Sequence, residues 1–175
     1  MLCQPFARGD RERYAKTKMT VEQYPYNLPP WRRQFSSLSP NGEQNATIHE
    51  AWELSMSGPT YGKLFVGRDF RIDNCSPTFT SSEDSRYLAV PQWRGFWRRR
   101  ERILVLDVLE KKIYESRTKY ILVILDGFEN GEFLVTESPL RNEKKLKISL
   151  DEIKKTYTLK TNLLHGSESL RPKDY

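Results

Sequence analysis

Residues 77–90 read Pro77-Thr78-Phe79-Thr80-Ser81-Ser82-Glu83-Asp84-Ser85-Arg86-Tyr87-Leu88-Ala89-Val90, and this stretch decides the fold class. A polar turn of Ser, Glu and Asp stands between two short apolar segments, and such short polar side chains favour chain reversals. The whole chain has an aromatic content of 12%, and broad aromatic side chains favour strands over helices. The stretch therefore predicts a β-hairpin within a mostly β protein.

The same order of signals occurs three times along the chain. Turns comparable to residues 82–85 lie at residues 39–42 and 128–131, at offsets of 43 and 46 residues. After each hairpin come a third apolar run, a short charged turn and a fourth apolar run. The third runs are residues 64–66, 103–108 and 146–150, the charged turns are 67–69, 109–112 and 151–152, and the fourth runs are 70–72, 113–115 and 156–159. The spacing predicts three four-stranded antiparallel meanders.

These segments resemble the blades of β-propellers of the TolB or WD40-like kind. Residues 77–90 look like the inner strand, turn and second strand of a blade, and residues 102–114 look like its outer hairpin. The likeness spans Phe35 to Leu159 and contains no Trp-Asp or Gly-His signature. It implies three blade-like units, a partial propeller, because closed propellers usually have about four to eight blades. The residues fit a single β-sandwich or up-and-down barrel equally well, and both interpretations are all-β.

Composition along the chain predicts one domain with two polar ends. Residues 1–34 are polar and close on several prolines, so we expect a poorly ordered arm. Residues 35–160 carry the strand signals and form the β domain. Residues 161–175 are expected to be a frayed tail.

Charge and cysteine content limit the compartment and the class of partner. The net charge of +6 is smaller than that of a dedicated nucleic-acid binder, and the excess of basic residues sits towards the chain ends. Cys3 and Cys75 are the only cysteines, which favours a reducing, cytoplasmic location. No apolar stretch approaches the length of a membrane span, so we expect no membrane partner.

Catalytic and metal-binding motifs are missing from the sequence. His49 and His165 are the only histidines, and no Cys or His pair has the spacing of a zinc site. No phosphate-binding loop or nucleophile elbow occurs. We therefore assign no catalytic residue, metal or cofactor. An enzyme built from dispersed carboxylates stays an alternative, with the candidates Glu50, Glu53, Asp69, Asp73, Glu83 and Asp84.

The sharpest local feature is the segment of residues 91–102, which we expect to be a loop between two strands. Aromatic and arginine side chains alternate there, and residues 31–33 repeat the theme at the entrance to the domain. The candidate binding residues are Trp93, Arg94, Phe96, Trp97, Arg98, Arg99, Arg100, Trp31, Arg32 and Arg33.

Three interpretations of this segment are open. Its rings could cover the end of the core while its arginines stay in water. It could contact a protein, since Trp and Arg are enriched in interface hot spots. It could bind nucleic acid or another polyanion. The leading hypothesis is a non-enzymatic module for protein interaction or assembly, with a protein partner or self-association, and polyanion binding is the alternative.

Overall fold

The structure, a computed structural model, describes residues 21–23, 35–95, 99–138, 142–155 and 158–159. In these ranges the protein consists of β-strands, nearly all antiparallel, and one short helix, so the predicted all-β class is confirmed. The strands are β1 Val21–Gln23, β2 Phe35–Leu38, β3 Asn45–Glu53, β4 Thr60–Val66, β5 Phe70–Cys75, β6 Thr80–Ser81, β7 Tyr87–Arg94, β8 Arg100–Asp107, β9 Lys112–Glu115, β10 Val123–Glu129, β11 Glu132–Glu137, β12 Lys144–Ser149 and β13 Thr158–Leu159, and the helix is α1 Leu150–Lys154.

The strands form three consecutive antiparallel meanders. The first meander is β2–β5, the second is β6–β9, and the third is β10–β12. A single pair, Cys75 with Gln92, joins the first two meanders into one large sheet, and the third meander is a separate sheet.

The second meander is the middle layer, because both of its faces are buried. Alternate residues of β7 and β8 point to opposite faces. Leu88 and Leu106 pack with the first meander in one apolar core. Ala89 and Val105 pack with the third meander in the other. We call the core between the first and second meanders the first core, and that between the second and third meanders the second core. This explains why β7 and β8 read as nearly continuous apolar runs.

The first hairpins of the first two meanders close with matching hydrogen bonds. Ser39 Oγ accepts from the backbone N–H of Gln44 at 3.0 Å, as Ser82 Oγ accepts from that of Tyr87 at 2.8 Å. Each serine hydroxyl also donates to the Asx side chain two residues later. The two turns touch, since the N–H of Asn41 donates to Ser85 Oγ at 3.0 Å. The recurring turn is thus the same local structure at both places.

The end of the third meander differs from the sequence prediction. Residues 151–152, expected as a charged turn, lie in α1, whose buried Leu150 and Ile153 pack in the second core. The predicted fourth strand, residues 156–159, is represented by β13, which pairs with β9 of the second meander instead of with β12. Burial of the two apolar residues of α1 favours this path, in which the chain passes from β12 to the edge of β9, over a tight turn back along β12.

The predicted chain ends are described only in part. Val21–Gln23, assigned to the arm, forms β1 and pairs in parallel with β2, so that part of the arm is a strand of the sheet. The remainder of residues 1–34 and the tail of residues 161–175 lie outside the described residues.

Candidate functional site

The segment of residues 91–102 is mostly strand, which corrects the predicted loop. β7 continues to Arg94 and β8 begins at Arg100, so only the residues between them connect the strands. Trp93 lies opposite Glu101 in this ladder and is only 9% exposed. The ring of Trp93 is therefore part of the protein interior and does not offer a contact face.

Two arginines of this hairpin are engaged within the protein. Arg102 Nη1 lies 2.9 Å from Glu115 Oε1, and Arg94 Nη2 lies 3.7 Å from Glu115 Oε2. Glu115 is buried, so these charge pairs are partly shielded from water. Arg94 and Arg102 thus neutralise an internal carboxylate.

Arg99 directly precedes β8 and is exposed, and Arg100, the first residue of β8, is half-buried. The Arg99 guanidinium is exposed and lies 5.8 Å from the centroid of the Tyr61 ring, in the range of a cation–π contact. The Arg100 guanidinium donates to the Arg99 carbonyl oxygen at 3.1 Å, which is a local hydrogen bond at the start of β8. The other predicted site residues, Phe96, Trp97, Arg98, Trp31, Arg32 and Arg33, lie outside the described residues.

A bulge in β3 places a tryptophan opposite Tyr61, the residue whose ring Arg99 contacts. His49 pairs with Lys63 and Trp52 pairs with Tyr61, so Glu50 and Ala51 stand opposite Gly62 alone. Glu50 has a φ of 52°, the left-handed conformation that the first residue of one class of bulge adopts. The extra residue turns Trp52 to the same face as His49, away from the core. Its side chain is 70% exposed.

The turn after β3 adds a second exposed apolar side chain. The Leu54 N–H donates to the Pro59 carbonyl oxygen at 2.9 Å and the Gly58 N–H donates to the Ser55 carbonyl oxygen at 2.8 Å, which closes the turn. Met56, at its tip, is 95% exposed. We call the surface formed by Trp52, Met56, Tyr61, Arg99 and Arg100 the rim.

The sequence pattern missed Trp52, Met56 and Tyr61 as site residues. Strict alternation along β3 places Trp52 on the face of Ile48, which is a core residue. The bulge at Glu50 breaks that alternation, and the residues themselves carried no turn signal for it. The one sequence signal that could have indicated Trp52 is that the next apolar run, β4, also contains aromatic residues.

The outer face of the first meander is occupied by internal contacts. His49 packs edge-on against Phe65, with ring centroids 5.6 Å apart, and Arg71 lies over the same ring. Glu50 accepts a short hydrogen bond from Lys63, and this contact with the ammonium lowers the pKa of the Glu50 carboxyl. The His49 ring and the Glu50 carboxylate are thus each engaged by a neighbouring side chain.

A buried carboxyl group, Glu101, lies between the second and third meanders. It is fully buried, and its Oε2 accepts from the Val123 N–H at 2.5 Å. Among the residues that the structure describes, Glu101 Oε1, Ser76 Oγ and Trp93 Nε1 have no hydrogen-bond partner. Burial raises the pKa of Glu101 to about 8, although the hydrogen bond from the Val123 N–H lowers it in part.

Cys75 is a core residue. Its side chain is fully buried in the first core, and burial raises the pKa of the thiol well above its usual range. A thiol that stays protonated in an apolar environment is a poor nucleophile and a poor metal ligand.

Comparison with known proteins gives no relative. No family model, curated protein sequence or solved structure matches the chain. In the part of the chain that the structure describes, no helix is long and apolar enough to cross a membrane. Function must therefore be inferred from the surface itself.

Proposed function

We propose that this protein is a non-enzymatic interaction module that binds another protein through the rim. The observation that carries the proposal is the exposure of Trp52, at 70%, beside the stacked pair of Tyr61 and Arg99. Trp, Tyr and Arg are the residue types most enriched in interface hot spots. Isolated exposed apolar side chains are ordinary on protein surfaces, whereas these occur together with Met56 at one end of the molecule.

The position of the rim on rigid elements favours a preformed contact surface. Trp52 and Tyr61 are a cross-strand pair in β3 and β4, and Arg99 directly precedes β8. Side chains held by strands lose little conformational freedom on binding, which lowers the entropic cost of association. Such a surface suits a partner that presents an apolar groove with an acidic border.

Ion pairing argues against the polyanion alternative. Of the arginines described in this hairpin, Arg94 and Arg102 are paired with Glu115, which leaves Arg99 and Arg100 to meet phosphates. Two cationic side chains can neutralise only about two phosphates, so they would contribute little to the affinity for nucleic acid.

Several carboxylates that an enzyme would need are also engaged elsewhere. Glu50 is paired with Lys63, Asp69 Oδ1 lies 2.8 Å from Lys111 Nζ, and Asp84 accepts hydrogen bonds inside its turn. These contacts favour a structural role for each group over general acid or base catalysis.

We further propose that the three meanders are blade-like units of a partial propeller. The matching turns at Ser39 and Ser82 support a structural repeat. The middle meander is covered on both faces, which is the arrangement of consecutive blades around an axis.

Substitution of two rim residues tests the proposed function. The double variant Trp52→Ser, Arg99→Ser should fold normally, since exposed positions usually change stability by less than about 0.5 kcal/mol. It should lose a specific protein captured by the wild type, with affinity for the purified partner falling at least about thirtyfold. Isothermal titration calorimetry with the reconstituted pair measures the loss.

The matched control carries the same change of chemistry at the other end of the molecule. Leu109 is 71% exposed and Arg68 is exposed in the β4–β5 turn, so the variant Leu109→Ser, Arg68→Ser again removes one apolar group and one arginine. It should bind like the wild type. Equal losses in both variants would contradict the assignment of the rim. Salt-sensitive oligonucleotide binding that disappears with Arg99 would favour the polyanion alternative instead.

A further inference from the structure

The third meander has three strands where each of the other two has four. β5 completes the first meander and β9 completes the second. Among the described residues, no strand pairs with the outer edge of β12, because the chain leaves it through α1 and adds β13 to β9. Within the described part of the chain, the position of a fourth strand in the third meander is therefore open.

The hydrogen-bond pattern identifies which backbone groups face this open edge. The Leu150 N–H donates to the Gly131 carbonyl oxygen at 3.1 Å, and Leu150 continues the register that pairs Ser149 with Glu132. In an antiparallel ladder, bonded and non-bonded pairs alternate. The N–H and C=O groups of Leu146 and Ile148 therefore point to β11, and those of Lys145 and Lys147 point outwards.

The side chains of β12 define the strand that would fit. Lys144, Lys145 and Lys147 give this strand three positive charges, and it contains no acidic residue. Lys145 and Lys147 are about two-thirds exposed, with side-chain exposures of 68% and 65%. The ion pair of Lys147 with Glu132, at 3.9 Å, lies on the surface and stabilises little, so the Lys147 ammonium can turn to a new partner. Lys145 Nζ is held more firmly, because besides its 3.2 Å pair with Glu143 it donates to Thr136 Oγ1 at 2.6 Å and lies 3.4 Å from Asp126 Oδ2.

The opposite face of β12 is apolar. Leu146 and Ile148 are half-buried and pack against the second core, so an added strand would extend this core with its own apolar residues. A second copy of β12 is a poor occupant, because Lys145 and Lys147 would face lysines across the new ladder, and like charges directly opposite are destabilising.

We propose that β12 is a strand-addition site for an extended acidic segment of a partner protein. The segment alternates Glu or Asp with Val or Ile, pairs through the outward backbone groups of Lys145 and Lys147, and places a carboxylate beside the Lys147 ammonium. This surface is separate from the rim, and the inference does not depend on it.

Amide hydrogen exchange in the full chain, followed by NMR, provides the test. The probe is the capped peptide Glu-Val-Glu-Ile-Glu-Val, and a capped Lys-Val-Lys-Ile-Lys-Val peptide is the charge control. In the free protein the amides of Lys145 and Lys147 should exchange much faster than those of Leu146 and Ile148. Saturation with the acidic peptide should slow exchange at Lys145 and Lys147 at least about tenfold, with little change at the other two.

A charge-swapped variant distinguishes specific strand pairing from non-specific adsorption of the peptide. The variant Lys147→Glu should weaken binding of the acidic peptide at least about tenfold and should bind the basic peptide more tightly than the wild type does. Equal binding of both peptides to the wild type, or none at millimolar concentration, would overturn the proposal. So would slow exchange of Lys145 and Lys147 in the free chain, because the edge would then be covered by the chain itself or, if protection rises with protein concentration, by a second copy.

Discussion

Replacing Glu101 by Gln should make the protein markedly more stable at pH 9 while leaving its stability at pH 4.5 nearly unchanged. The Glu101 side chain is completely buried, and burial raises its pKa from 4.5 to about 8 in the folded protein. Glutamine keeps an oxygen that accepts from the Val123 N–H and cannot ionise. The difference between the two proteins should therefore grow with pH.

The direction of this pH dependence follows from how many protons the folded and unfolded chains bind. The pKa of Glu101 is higher in the folded chain than in the unfolded chain, so between about 4.5 and about 8 the folded chain holds the extra proton. The free energy of unfolding of the wild type should fall as pH rises through this window, by at most about 1.4 kcal/mol per pH unit from this group. Below the window both states are protonated, and above it both are ionised, so the contribution is constant there.

Urea unfolding of the wild type and the variant at half-unit pH steps measures this effect. Glu129→Gln, which removes an exposed glutamate, controls for the loss of one surface charge. Parallel curves for the wild type and Glu101→Gln would show that the Glu101 carboxyl has an ordinary pKa and is hydrated. The contact between the second and third meanders would then not exclude water from the Glu101 carboxyl.

Gly62→Ala should destabilise the protein strongly and disturb the rim. A Cβ at this position would lie 2.6 Å from the His49 carbonyl oxygen and 2.9 Å from Ile48 Cγ2, inside the β3 bulge. A backbone carbonyl cannot move aside as the end of a flexible side chain can, so the free energy of unfolding should fall by about 1–3 kcal/mol or more. Thermal unfolding measures the loss, and the fluorescence of Trp52 should report the displaced bulge.

Gly127→Ala is the matched control, because it is also a glycine within a strand. Its Cβ would meet only Leu134 Cδ1, at 4.0 Å, which is ordinary contact. This variant should be neutral or slightly more stable, since alanine restricts the unfolded chain. Similar losses at both glycines would contradict a specific role for Gly62 in making room for the bulge.

The sequence predicted the strands well because their signals are local. The turn residues at Ser39, Ser82 and Asn130-Gly131 each occupy the reversal expected of them. Asn130 and Gly131 both have positive φ, which suits the twist of a two-residue hairpin. The periodic apolar runs correspond to buried strand faces.

The path after β12 was missed because its cause is tertiary. Residues 150–154 are too few to form a stable helix alone. Leu150 and Ile153 become buried only once the second core exists, and this burial carries the chain towards β9.

The candidate site was predicted in part. Arg99 and Arg100 lie at the surface, and whether they bind a partner stays a prediction. Trp93 and Arg94 were assigned to a loop, but pairing with β8 extends β7 through both of them. Trp52 could not be found from alternation, because a single extra residue at Glu50 moves it from the core face to the outer face.

Photo-crosslinking at Met56 tests the central claim, that the rim contacts another protein. Met56 is 95% exposed at the tip of the β3–β4 turn, so a benzoylphenylalanine placed there should not disturb folding. In cells, illumination should give a discrete adduct with a protein partner from position 56 and none from the same residue at Leu109, at the opposite end. Adducts of equal yield at both positions, or adducts formed only with nucleic acid, would contradict the account.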